Sequence, residues 1–283
     1  MAILLTNGDS FTYGDELKGS RLGFYPDGSW IPSRHHHLTY TAHLAGLLKP
    51  DDGYVNLGRN ASSNQKIFRT STTFMQQTSR EISHMVIIWS SWGRIEVVSP
   101  YECEFDKKAY IEKDMMFNQI IPDHHSGKMG YSLRHWGDKD AEGHRVFEES
   151  LKNFYKNVYS FTTPIIHHLN YMCIMQDLCD LKGIKLVQGV IHPGQWQGIK
   201  SCLTNKKMEG NNETKGMIRY YLRYLRPECK LGFGDRLDMT TFTLDRRDQG
   251  CELRPIGHPC EKSHKLFADL LYEKFREIEK RDG

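Results

Sequence analysis

The segment Asn7-Gly8-Asp9-Ser10-Phe11-Thr12-Tyr13-Gly14 stands directly after the short apolar run Ile3-Leu4-Leu5-Thr6. In an open α/β sheet, ligands arrive at the carboxyl ends of the strands, and a serine on the turn that leaves a strand sits where they arrive. A helix opening at such a turn would add unpaired N–H groups and a positive dipole end, both of which favour an oxyanion. A serine hydroxyl becomes an effective nucleophile when a base takes its proton, and that base is most often a histidine from a distant part of the chain. Near the other terminus the chain carries Gly257-His258-Pro259-Cys260-Glu261-Lys262-Ser263-His264, immediately before a long amphipathic segment. A histidine on a loop at a helix entrance can be aimed across the top of a sheet toward Ser10. Gly-Asp-Ser alone is also what a strand-ending turn with an Asp or Ser cap looks like, so its chemical meaning rests on the pairing with His258.

Other histidines compete for the role of base. His192-Pro193 also follows a strand end, but no terminal helix comes after it, and His264 stands where a residue caps or packs the last helix. His35-His36-His37 and His124-His125, the latter beside Asp123, raise the question of a metal. Adjacent loop residues point in different directions, whereas metal sites favour spaced ligands such as two histidines one helical turn apart. No metal site is expected there, and His167-His168 read as ordinary helical residues.

The elements that would position Ser10 and His258 alternate between strand and helix. Ile3–Thr6, Tyr54–Leu57, Met85–Trp89 and Ile184–Ile191 are short and mostly apolar, as strands buried on both faces of a parallel sheet are. Between them lie helical patterns at Thr39–Leu48, Asn64–Ser83, Val146–Val158 and Ile165–Leu178, the last ended by Gly183. A final helix opens at Ser263 and places Leu266, Phe267, Leu270, Leu271, Phe275 and Ile278 on one face. Such alternation predicts a three-layer α/β/α sandwich on a mostly parallel, flavodoxin-like sheet, formed by one domain over 1–283. Two polar stretches, about 97–144 and 193–214, break the rhythm and read as loop insertions or lids above the sheet.

Within the second stretch, Gln195-Trp196-Gln197 offers a tryptophan that could stack on a sugar ring. Arg219-Tyr220-Tyr221-Leu222-Arg223-Tyr224-Leu225-Arg226 puts Arg219, Arg223 and Arg226 on one helix face, which reads as a solvated face or an anionic or carbohydrate contact. Arg94 and Glu96 lie just beyond the third strand, on the rim where substrate would enter; either an ion pair between them or a substrate contact fits their spacing.

The bulk composition narrows the partners. A net charge of +3 over 283 residues makes no strong field, so neither nucleic acid nor a membrane surface is demanded. Seven cysteines, odd in number and without a CxxC pair, argue against a disulfide framework and a zinc ribbon and fit a reducing compartment. No run reaches the roughly 18 apolar residues of a membrane span. The first apolar run is too short for a signal peptide. The expectation is a cytoplasmic protein with no cofactor, its oligomeric state open.

Ser10 and His258 belong to a wider pattern. The chain resembles the SGNH (GDSL-type) hydrolase superfamily, whose four blocks occur here in order and span nearly the whole sequence. The Gly-Asp-Ser block and the final His-Pro match well. The second block corresponds to Asn56-Leu57-Gly58-Arg59-Asn60-Ala61-Ser62-Ser63-Asn64, with Ala61 in place of the family's oxyanion-hole glycine; alanine still offers a backbone N–H. The third maps onto Trp89-Ser90-Ser91-Trp92-Gly93-Arg94-Ile95-Glu96, where Ser91 stands near the usual asparagine donor. This form of the third block resembles bacteriophage-encoded members, which leaves association with a phage or virion open.

The last block departs in its acid: Pro255 occupies the position of the family's aspartate, three residues before His258. The imidazole must then be oriented by a backbone carbonyl or by another acid such as Asp245, Asp248 or Glu252. The resemblance implies a serine esterase working through an acyl-enzyme on Ser10. His258 serves as base, and the oxyanion is held by Ser10 and Ala61, with Ser91 or Asn60 as a further donor. It also implies small acyl esters, often acetyl groups on carbohydrates, but also lipid esters and thioesters. Two other readings stay open: a noncatalytic binding or structural protein that keeps this fold, and an acyltransferase.

Overall fold

A computed structural model describes residues 2–14, 17, 37–59, 62–91, 94–98, 117–123, 130–133, 153, 162–204, 212–233, 235–254 and 257–282. The buried apolar runs form the central sheet: β1 (Ala2–Gly8), β2 (Tyr54–Asn56), β3 (Glu81–Trp89) and β7 (Lys185–Val190) pair in parallel in the order β2-β1-β3-β7. Ile3 and Leu5 of β1 pack into one layer and Leu4 into the other. In β3, Met85, Ile87 and Trp89 face the first layer, and Val86 and Ile88 the second. With both faces covered, alternation along a strand changes the layer a side chain enters without exposing it, which is why these strands read as unbroken apolar runs.

The first layer holds α3 (Asn64–Gln77), α4 (Thr162–Leu181), α5 (Pro193–Thr204) and α6 (Asn212–Tyr224). The second holds α2 (Tyr40–Leu48), α7 (Met239–Leu244) and α8 (Glu261–Asp282). The chain thus adopts the expected three-layer α/β/α arrangement on a parallel sheet. Its last helix opens at Glu261, two residues ahead of Ser263, which is buried in the first turn. Among the described residues no helix is long and apolar enough to cross a membrane.

The polar stretch at 193–214 is not a loop throughout: α5 begins at Pro193, where a missing N–H costs nothing, and buries Trp196, Ile199 and Cys202 at three-residue spacing. Trp196 is therefore a core residue, 1% exposed, with its indole Nε1 donating to the Leu231 carbonyl at 3.0 Å. It is not free to stack on a sugar. In the other polar stretch, β4 (Ile95–Val98), β5 (Phe117–Asp123) and β6 (Gly130–Leu133) form a small antiparallel sheet in the order β4-β5-β6. Residues 99–116 and 124–129, with His124 and His125, lie outside the described residues, as do His35 and His36 and nearly all of the helical pattern at Val146–Val158.

Six described cysteines are free and buried. Burial pushes the thiol of Cys173 up to about 12 and that of Cys229 to about 11, so these side chains serve as packing rather than as nucleophiles.

His168 is also a core residue, 2% exposed, its Nδ1 3.0 Å from Asn64 Nδ2 and its ring edge-on to Trp89. Burial lowers its pKa to about 3. The unfolded chain takes a proton there near pH 6.5, while the folded protein does not until about 3. The stability from this site is therefore whole above pH 6.5 and is lost as pH falls toward 3, at about 1.4 kcal/mol per pH unit. Denaturant unfolding at pH 7 and pH 5 is expected to show wild type losing about 2 kcal/mol more than His168→Gln between the two. Equal losses would mean that the folded protein protonates this ring.

Candidate active site

The turn bearing Ser10 is held from three sides. Asn7, buried at the end of β1, reaches Ile67 O, Thr70 Oγ1 and Ser71 Oγ of α3 through Nδ2 at 3.0, 2.9 and 2.8 Å, and its Oδ1 accepts from Gly8 N at 2.8 Å. Asn56, at the end of β2, donates to Thr12 O at 2.7 Å and accepts from Gly58 N at 2.9 Å. Tyr40 of α2 shares a 2.9 Å hydrogen bond with Thr12 Oγ1.

The turn itself, α1 (Ser10–Tyr13), is a single helical turn closed by Gly14 in the left-handed region, φ 90°. It leaves Ser10 7% exposed. Gly8 is required by close approach: a Cβ there would lie 2.1 Å from Thr12 Oγ1 and 2.8 Å from Ile88 O. Gly8→Ala must displace α1 or β3, a clash of the kind that costs about 1–3 kcal/mol. A lowered melting temperature together with loss of Ser10 reactivity is expected, and unchanged reactivity would show that α1 tolerates the shift.

The residue before Ser10 carries the strongest electrostatic feature. Asp9 is fully buried, and its carboxylate accepts from Phe11 N at 3.1 Å as the cap of α1. Its Oδ2 accepts from Ser90 Oγ at 3.2 Å and from Arg94 Nη1 at 2.9 Å. The same Nη1 lies 2.7 Å from Ser90 Oγ and 3.5 Å from Ser62 O. The acid partner that Arg94 takes is thus Asp9 and not the nearby Glu96, which stands in β4 opposite Gln119 and whose side chain is outside those described. One guanidinium joins the loops that follow β1, β2 and β3. Sequence reading places Arg94 on the rim and misses its bond to Asp9; the available signal is the buried carboxylate of a Gly-Asp-Ser turn, which needs a cationic partner.

His258 stands on a tight loop. Leu253 bridges Pro259, Arg254 N donates to His258 O at 2.7 Å, and Gly257 N donates to Arg254 O at 2.7 Å with Gly257 at φ 96°. The imidazole packs edge-on to Phe11, ring centroids 5.2 Å apart, beside the turn that Ser10 opens.

The competing histidines are committed elsewhere. His192 Nδ1 accepts from Gly194 N at 2.9 Å, and the fully buried His264 accepts from Tyr40 N at 3.1 Å through Nδ1 while stacking on the Tyr40 ring. A neutral imidazole whose Nδ1 accepts carries its proton on Nε2, the wrong tautomer for a base that acts through Nε2.

Of the other predicted site residues, Ser91 is half-buried next to Ser90, and its carbonyl accepts from Arg94 N at 3.1 Å. Asn60, Ala61 and Pro255 lie outside the described residues. Asp245 gives both oxygens to Arg236, at 2.7 and 2.9 Å, and that contact holds its carboxyl below the usual range. Glu252 is exposed and sits 3.3 Å from Arg254 Nη1, and Asp248 is exposed on a short turn over Arg247–Gln249. Among the described residues no group of three or more His, Cys, Asp or Glu side chains is arranged to hold a metal ion.

No family model and no curated protein matches the chain. Solved structures with a similar course include a protein of the G-D-S-L family from Desulfitobacterium hafniense DCB-2, 11% identical, with a TM-score of 0.42 over 96% of this chain and 99% of that one. Another is a member of the lipolytic protein G-D-S-L family from Veillonella parvula DSM 2008, 12% identical, with a TM-score of 0.42 over 98% of this chain and 99% of that one.

Proposed function

We propose that the protein is a serine hydrolase of ester bonds. The observation that carries this reading is the contact between Phe11 and His258, which brings an imidazole to the turn that begins with Ser10. His258 takes the proton of Ser10 Oγ as that oxygen attacks the acyl carbonyl, and passes it to the departing alcohol. Water, deprotonated in turn by His258, releases the acid and restores Ser10. The N–H groups of Ser10 and Ala61, with Ser91 or Asn60, hold the oxyanion. No cofactor takes part. Substrates are small polar esters, including acetylated carbohydrates, in keeping with a site among polar loops.

A fluorophosphonate probe tests the reading, because it phosphonylates an activated serine without needing the natural acyl group. Labelling at Ser10 that vanishes in Ser10→Ala and falls sharply in His258→Ala is the expected result. A folded wild type that takes no label would leave a noncatalytic binding protein as the better account. Product analysis with added alcohols separates hydrolysis from acyl transfer, since the covalent intermediate is common to both.

A further inference from the structure

Arg94 is held in an unusual way for a residue at the edge of a loop. Its Nη1 alone meets Asp9, Ser90 and Ser62. Among the described residues Nε and Nη2 have no hydrogen-bond partner, and the side chain is 18% exposed. The guanidinium is thus anchored by one nitrogen, which leaves the N–H groups of Nε and Nη2 outside that anchor. Those two donors form a fork of the spacing that a carboxylate accepts in two parallel hydrogen bonds.

The placement makes the fork useful. The three anchoring groups belong to the loops after β1, β2 and β3, at the ends of the strands where substrate arrives. Asp9 is the residue before Ser10, so the anchor and the nucleophile share one turn. Burying the carboxylate against the guanidinium fixes a side chain that would otherwise lose several rotors on binding, which favours recognition by the remaining edge.

We infer that Arg94 recognises a carboxylate on the substrate, so that the enzyme acts on acyl esters of acidic alcohols, such as acylated uronic or hydroxy acids. This inference rests on the hydrolase reading above and deepens it. A lysine at this position could neutralise Asp9 but could not present a second, bidentate edge.

The test uses 2-, 3- and 4-acetoxybenzoate and their methyl esters, three pairs that differ in charge and sample three separations between carboxylate and ester. Turnover is measured with wild type, Arg94→Lys and Ser10→Ala. Binding of each compound to the Ser10→Ala protein, with and without Arg94→Lys, is measured by calorimetry. At least one charged ester is expected to exceed its methyl ester about tenfold or more in kcat/KM, mainly through KM, and Arg94→Lys is expected to bring that ratio toward one. Ratios near one in all three pairs, with turnover still dependent on Ser10, would overturn carboxylate recognition and leave the hydrolase standing. If no ester is turned over, the hydrolase reading fails and binding decides: selective binding of a charged ester that Arg94→Lys abolishes supports the role of Arg94, and equal or absent binding overturns it.

Discussion

His258→Ala is expected to lower kcat/KM for a small acetate ester by about 10²–10⁴-fold without unfolding the protein. The loop that carries His258 is closed by backbone contacts, Arg254 N to His258 O and Gly257 N to Arg254 O, which an alanine at 258 retains. What disappears is the imidazole beside Phe11, and with it the group proposed to take the Ser10 proton. His192→Ala serves as the control, since its Nδ1 is occupied by the Gly194 N–H and its loss should leave turnover near wild type. Steady-state kinetics and thermal melts on the two variants decide the matter. A His258→Ala protein that keeps most of its activity while Ser10→Ala is dead would place the base elsewhere.

Arg94→Leu is expected to have the largest effect on stability. Removing one member of a buried ion pair costs about 3–5 kcal/mol, because the other member is left charged and without its counterion. Here the member left behind is Asp9, which is fully buried and would retain only Ser90 Oγ and Phe11 N. Asp9→Asn in the Arg94→Leu background should recover most of the loss, since a neutral amide can accept from Phe11 N and donate to Ser90 Oγ. Denaturant titrations of the two single variants and the double variant measure the coupling. Additive losses would show that the pair contributes no more than its separate hydrogen bonds.

The parts of the fold that are legible in the sequence are those where one local pattern admits one arrangement. Ile3–Thr6 and Met85–Trp89 are too short and too apolar for anything but strands buried on both faces, and they become β1 and β3. The place of His258 at the entrance of the last helix is legible because the amphipathic pattern of α8 follows it directly. The helix α5 is not, because its buried stripe, Trp196, Ile199 and Cys202, is narrow and surrounded by Gly, Gln and Lys, residues that also make loops. The partner of Arg94 is hidden for a different reason. Glu96 is two residues away and Asp9 is 85, and only the parallel pairing of β1 with β3 brings the distant carboxylate closer.

The margins of the main sheet bear on how the protein behaves when concentrated. A sheet edge with a long row of free N–H and C=O groups is a template on which another chain can add a strand and begin an aggregate. Among the described residues one margin is β2, only three residues long. The other, β7, is met at Gly189 by Leu231, whose N–H bonds to Gln188 O at 3.1 Å and whose carbonyl is taken by the Trp196 indole. A visiting strand would find a short register on one side and one interrupted at Gly189 on the other, so this sheet is a poor seed for intermolecular β-structure even though every strand in it is rich in β-forming residues.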